Sequence, residues 1–143
     1  MYLRGPGLLE LERETLRSKR TGLPLALGFV DIDYLKSVND AHGHAAGDQL
    51  LLSVANTMKA KLRPYDLIIR LGGDEFACGL SGLDMAGAAA RMALVSAALA
   101  QAPEHGSVTI GLAELRADDS IASLIGRADA ALYRERQKAR QRP

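Results

Sequence analysis

Two hydrophobic periods alternate along the chain. Leu8 to Lys19 is charged, with leucines scattered through it, and reads as a surface helix. Pro24 to Val30 (PLALGFV) is a short apolar run of the length of a buried strand. It stops abruptly at Asp31-Ile32-Asp33. A short helix is expected from Tyr34 to about Asp40, with Asp33 as its cap. The stretch AHGHAAGD reads as a turn into a longer helix, on which Leu50, Leu51, Val54, Met58 and Leu62 form an apolar stripe. Pro64 helps to end it. Two strand-like runs, Asp66 to Leu71 and Glu75 to Leu80, flank Gly72-Gly73. Adjacent glycines between apolar runs predict a tight hairpin whose turn uses positive φ. Asp84 to Ala100 is an alanine-rich helix, and Ser107 to Ala113 (SVTIGLA) a strand. From Ser120 to about Gln141 a final helix carries Ile121, Leu124, Ile125, Ala128 and Leu132 on one face. The order α-β-α-α-β-β-α-β-α predicts an α+β fold: a central, mostly antiparallel sheet flanked by helices.

Composition narrows the function classes. The 143 residues suggest a single domain over 1–143, long enough to bury a core. A net charge of +1 gives no bulk attraction to nucleic acid or to an anionic membrane. No apolar run approaches the roughly 18 residues of a membrane span, and the N-terminus lacks the apolar core of a secretory signal. The single cysteine, Cys78, excludes an internal disulfide framework and fits a reducing, cytoplasmic compartment. Its apolar strand context makes it a small buried hydrophobe rather than a reactive thiol.

The acids bear on chemistry. Asp31 ends one strand, and Asp74 and Glu75 sit at the hairpin tip. If those strands are neighbours, three carboxylates meet at one sheet edge, which is costly without a compensating cation. Hard oxygen donors favour Mg²⁺, which keeps substrate phosphates in its shell. Gly72 and Gly73 let backbone approach a bound ligand. The tip taken alone is equally a solvated turn. Asn39 alone reads as a helix C-cap and Asp48 as a first-turn acid favoured by the dipole. Lys36 lies three residues before Asn39, on the same helix face. Arg136 and Arg140 extend the Ala128, Leu132 stripe in steps of four, so they point with the buried face; Arg134, Lys138 and Arg142 fit a basic helix end. His42 and His44 read as turn-lining residues rather than a metal pair.

Gly72-Gly73-Asp74-Glu75-Phe76 spells the signature of the GGDEF family, the diguanylate cyclases. DIDYLKSVNDAHGHAAGD, Asp31 to Asp48, resembles that family's second block, and RADAALYRERQKAR its C-terminal helix. The resemblance covers roughly Leu25 to Arg140. It implies a fold similar to the palm of polymerases and adenylyl cyclases, and condensation of two GTP into cyclic di-GMP with release of two pyrophosphates. It implies that Asp31, Asp74, Glu75 and the Ile32 carbonyl hold Mg²⁺, or Mn²⁺ in its place, two ions per active site. Asp74, Glu75 and Lys36 would be catalytic, with Asp74 at the position credited with activating the 3′-hydroxyl. Asn39 and Asp48 match the guanine readers; Lys36, Gly72, Gly73, Arg136 and Arg140 match the phosphate-contacting set, although the first of the two arginines is more often lysine. Gly47 beside Asp48 leaves room for a base. Arg63-Pro64-Tyr65-Asp66 matches the RxxD motif, so Arg63 and Asp66 would bind cyclic di-GMP as an inhibitory product. Catalysis would need a transient homodimer, each half holding one GTP.

Some positions depart from the family pattern. Its Asp-x-Leu-Thr-Gly-Leu-x-Asn-Arg opening is only echoed in YLRGPGLLELE. The stretch from Ala100 to Ser107 is short. A second arginine is expected on the helix after the hairpin; Arg91 is near, but Ala93 fits the matching position better, which implies weaker inhibition. The rival to an active cyclase is a non-catalytic module that binds GTP or cyclic di-GMP. Another palm-type nucleotidyl cyclase would need base readers other than Asn39 and Asp48.

Overall fold

The computed structural model describes residues 1–141. Strand β1 (Tyr2–Leu3) leads into helix α1 (Arg4–Thr21), followed by β2 (Leu25–Ile32), α2 (Leu35–His42), α3 (His44–Lys61), β3 (Leu67–Arg70), β4 (Glu75–Ser81), α4 (Met85–Gln101), β5 (Val108–Glu114) and α5 (Ile121–Gln141). The strands form one sheet in the order β1-β3-β4-β2-β5. Only the β1–β3 pairing is parallel; β3–β4, β4–β2 and β2–β5 are antiparallel. The expected mostly antiparallel α+β sheet is therefore present, with a short parallel strand that hydrophobic patterning over two residues cannot reveal.

Side chains leave β2 alternately to the two faces. Ala26, Val30 and Ile32 join Val54 and Met58 of α3, Val95 and Leu99 of α4, and Phe76, Cys78 and Leu80 of β4. On the other face Leu27 and Phe29 meet Leu11 of α1, Leu124, Ala128 and Leu132 of α5, and Ile69 and Ala77. A strand covered on both sides reads as a continuous apolar run, which is why PLALGFV has no polar alternation. Leu51 is only half-buried, so the α3 stripe is narrower than its sequence suggests. At Gly111 on β5, α5 approaches so closely that a Cβ would lie 2.1 Å from the Leu132 nitrogen and 2.7 Å from the Ala128 oxygen. That contact fixes the height of α5, and hence of its C-terminal arginines, over the sheet.

Three local expectations are corrected. Asp33 does not cap α2. The residue before the helix is Tyr34, in left-handed backbone at φ 64°, with no side-chain cap. The Asp33 carboxylate instead accepts hydrogen bonds from the hydroxyls of Ser107 and Thr109, each at 2.6 Å, because the chain leaves β2 beside the start of β5. Gly72 and Gly73 do not use positive φ, since four residues, not two, connect β3 to β4; the positive-φ glycines are Gly22, Gly43 and Gly82. Helix α1 starts at Arg4, ahead of the expected Leu8, so YLRGPGLLELE supplies β1 and the first turns of a helix.

Candidate active site

The strand ends bring the acids together. Asp31, the penultimate residue of β2, stands directly opposite Glu75, the first residue of β4, and opposite Thr109 on its other side. The backbone oxygen of Asp74 accepts from the Ile32 N–H at 3.1 Å, tying the loop before β4 to the end of β2. Like charges directly opposite across strands are destabilising, and the electrostatics registers it. Burial pushes the Asp31 carboxyl above its ordinary range, Arg136 partly offsets this, and Asp74 and Asp33 add to it. Burial likewise raises Glu75, with Asp31 the next cause.

Helix α5 supplies the compensating charge. The Arg136 guanidinium forms an ion pair with Asp31 Oδ2 and reaches Glu75 Oε1 at 3.8 Å. The other Asp31 oxygen, Oδ1, is buried without a hydrogen-bond partner. Asp31, Ile32, Asp33, Tyr34, Thr109, Arg136 and Arg140 line a cavity of about 320 Å³ beside the pair. Along the Ala128, Leu132 row, Arg136 reaches the acids, while Arg140 is exposed and only borders the cavity.

The connection before β4 is shaped by a residue that sequence reasoning passed over. Arg70 donates from Nε to the Gly72 oxygen at 3.1 Å and from Nη2 to the Gly73 oxygen at 3.2 Å. Leu71 N–H bonds the Glu75 oxygen at 3.0 Å, closing the hairpin. A side chain at Gly72 or Gly73 would meet open space. The signal for Arg70 was a lone cation ending the apolar run LIIR, immediately before two glycines.

The other singled-out residues surround this edge. Lys36 is exposed on α2. Asn39 lies on the same helix with Oδ1 buried and unpartnered. It packs onto α3 at Gly47, where a Cβ would sit 1.7 Å from Asn39 Oδ1. The space left by Gly47 therefore receives the Asn39 side chain, not a base as the sequence reading had it. Asp48 is exposed one residue on and lines a groove of about 370 Å³ with Leu51, Leu52, Arg70 and Phe76. His42 and His44 are exposed on either side of Gly43. Burial raises the Cys78 thiol far above its ordinary value, which makes it inert.

Arg63 and Asp66 form a closed unit away from the acids. Arg63 donates from Nε to Asp66 Oδ2 at 3.0 Å and from Nη2 to Oδ1 at 2.7 Å, while its backbone N–H also meets Oδ2. The guanidinium lies 4.6 Å from the centre of the Tyr65 ring and donates to the Ser81 oxygen. Beside it is a cavity of about 420 Å³, lined also by Glu14, Arg17 and Leu25. Arg91 reaches the carbonyl of Lys61, near this turn.

Among the described residues no three His, Cys, Asp or Glu side chains converge tightly enough to enclose an ion. The donor set nevertheless suits a hard divalent cation. Three carboxylates sense one another at one sheet edge, one buried oxygen lacks a partner, and a guanidinium supplies the positive charge.

Comparison with known proteins identifies the family and the fold. The curated relatives include the diguanylate cyclases DgcP of Pseudomonas aeruginosa, 34% identical over 92% of this chain and 21% of its own length, and TpbB of the same species, 41% identical over 81% of this chain and 29% of its own. The chain thus spans only about a fifth to a third of these relatives. Among solved structures, the GGDEF domain of P. aeruginosa TpbB matches with a TM-score of 0.88 at 36% identity, covering 94% of this chain and 90% of that one. The GGDEF domain of Caulobacter crescentus DgcB, solved in complex with c-di-GMP, matches with a TM-score of 0.89 at 27% identity, covering 96% and 84%. The family model described as diguanylate cyclase, GGDEF domain, matches residues 7–142, and the chain belongs to that family.

Proposed function

We propose that this domain is an active diguanylate cyclase that joins two GTP molecules across a transient homodimer. The carrying observation is the register Asp31 opposite Glu75, with Asp74 tied to Ile32, under the Arg136 guanidinium. Each 3′-hydroxyl oxygen forms a bond to the α-phosphorus of the other GTP. The bond from that phosphorus to the bridging oxygen breaks, and pyrophosphate leaves. Two such steps, each losing one hydroxyl proton, close the ring of cyclic di-GMP.

The roles proposed for the residues come from the family resemblance, and their positions are compatible with them. Asp31, Asp74, Glu75 and the Ile32 carbonyl would hold divalent cations, Mg²⁺ or Mn²⁺, two per site. Such ions sharpen an attacking oxygen and steady a triphosphate. Asp74, exposed before β4, is the acid assigned to the 3′-hydroxyl proton. Arg136 and Arg140, on one wall of the same cavity, suit triphosphate oxygens, and Lys36 adds a cation from α2. The open backbone at Gly72 and Gly73 gives clearance for the nucleotide. Asp48 accepts from the guanine N1–H and N2–H₂, and Asn39 serves a remaining edge. Adenine would leave the acid unsatisfied.

Arg63 and Asp66 are proposed as the product site. The stacked, forked guanidinium beside a cavity of about 420 Å³ supports a ligand that offers both phosphate and purine.

Turnover decides the main reading. Concentrated protein with GTP and Mg²⁺ should yield cyclic di-GMP and pyrophosphate, resolved by chromatography, and Asp74→Ala should yield neither. GTP binding without product at high protein concentration would replace this reading with that of a binding module.

A further inference from the structure

Arg136 faces two ways. Its guanidinium is held by Asp31 and Glu75, and it also borders the cavity of about 320 Å³ that Arg140 lines. A guanidinium is charged at every accessible pH, so the acids always see it as a cation. It satisfies only part of the Asp31 carboxylate, since Oδ1 stays buried and without a partner. A buried carboxylate oxygen left bare is uncommon and calls for a cause. Here the bare oxygen belongs to the same acid that the guanidinium grips.

We infer that Arg136 is the resident counter-ion of the acid edge and exchanges partners on loading: it pairs with Asp31 and Glu75 in metal-free protein and moves to triphosphate oxygens when a divalent cation takes those acids. The inference rests on the reading of Asp31, Asp74 and Glu75 as cation-holding acids. A divalent cation must displace a charge already in place. Its affinity for the nucleotide-free protein is therefore lower than the acids alone would give. A nucleotide that draws Arg136 away frees the carboxylates, so metal and nucleotide assist one another reciprocally. Arg140 borders the same cavity but forms no ion pair with Asp31 or Glu75 in the described structure. It therefore serves as the control for a general loss of positive charge.

The test is a titration of nucleotide-free protein with Mn²⁺, with the free ion read by electron paramagnetic resonance. Arg136→Gln should tighten Mn²⁺ binding roughly fivefold, the scale of a partly exposed ion pair, and should weaken binding of a non-hydrolysable GTP analogue. Arg140→Gln should weaken the analogue and leave Mn²⁺ affinity near that of wild type. Arg136→Lys keeps the charge without the fork and should fall between wild type and Gln. Mn²⁺ affinity unchanged or weakened in Arg136→Gln would overturn the exchange, as would an equal gain in Arg140→Gln. If no variant, wild type included, takes up Mn²⁺, the cation reading of the acids fails and the exchange fails with it. Thermal melts of the metal-free variants verify that each is folded.

Discussion

Gly47→Ala sets two physical effects against each other. Gly47 lies in the first turns of α3, and alanine in a helix is worth about 0.5–1 kcal/mol over glycine. On propensity alone the variant should be more stable. The structure opposes this, because the new Cβ would lie 1.7 Å from Asn39 Oδ1, 2.7 Å from its Cγ and 3.1 Å from its Nδ2. Reaching an ordinary C···O contact requires a retreat of roughly 1.6 Å, more than thermal adjustment supplies. Asn39 must leave its rotamer, and with it the place from which it would meet a base. The lost hydrogen bond is worth about 1 kcal/mol, and 1.4 kcal/mol is a factor of ten in affinity. The expected outcome is a melting temperature near that of wild type, with GTP-analogue affinity down roughly fivefold to tenfold. Calorimetric titration of Gly47→Ala, Asn39→Ala and the double variant checks it. Once Asn39 is truncated the glycine should no longer matter, and the double variant should bind like Asn39→Ala alone. Wild-type affinity in Gly47→Ala, or losses that simply add, would refute the reasoning.

Other outcomes follow from the same structure. Gly111→Ala drives a Cβ against backbone atoms of α5 rather than a side chain that can turn aside, so it should destabilise by about 3 kcal/mol in urea denaturation and reduce turnover by shifting Arg136. Asp119 accepts from the Arg116 N–H at 2.8 Å, from Ser123 at 3.0 Å and from Arg127. Burial opposes its charge, but these partners win and hold its carboxyl below the usual range. The stabilisation is therefore present above the ordinary carboxylate range and lost as pH falls through it; Asp119→Ala should cost about 2 kcal/mol at neutral pH, and less in acid. Glu75 has the opposite sign, because burial raises it in the fold. The folded state then favours the protonated acid, so metal-free Glu75→Gln should melt higher than wild type at pH 7, with the gain vanishing as pH drops through the carboxylate range. Arg63→Ala should abolish cyclic di-GMP binding in calorimetry, and should also lower the melting temperature by leaving the buried Asp66 without its fork.

Much of this was legible in the residues because the site uses signals that act locally. The double glycine, the acids at strand ends and the row Ala128, Leu132, Arg136, Arg140 each occupy short stretches, and hydrophobic period alone puts the last of these on one helix face. What stayed hidden depends on contacts distant in sequence. Asp33 looks like a helix cap because a helix follows it, but its partners Ser107 and Thr109 are more than 70 residues away. Gly47 looks like room for a ligand, whereas a side chain from the preceding helix already fills it. Gly72 and Gly73 look like backbone necessities, yet their φ values need no glycine. The pairing of Arg136 with Asp31 requires knowing how high α5 rides over β5, which the missing side chain of Gly111 sets.

Asp31 and the proposed base reader Asn39 sit on parts of the molecule with different freedom. Asp31 belongs to a strand flanked on both edges and covered on both faces, where opening requires most of the core to open with it. Helix α2, which carries Lys36 and Asn39, has none of its eight residues fully buried and leans on α3 through contacts such as the one at Gly47. Amide exchange should therefore be slowest at β2 and fast along α2. A fold arranged this way would let the proposed Asn39 contact be adjusted through one lightly anchored helix, while Asp48 on the better-anchored α3 and Asp31 at the end of β2 stay in place.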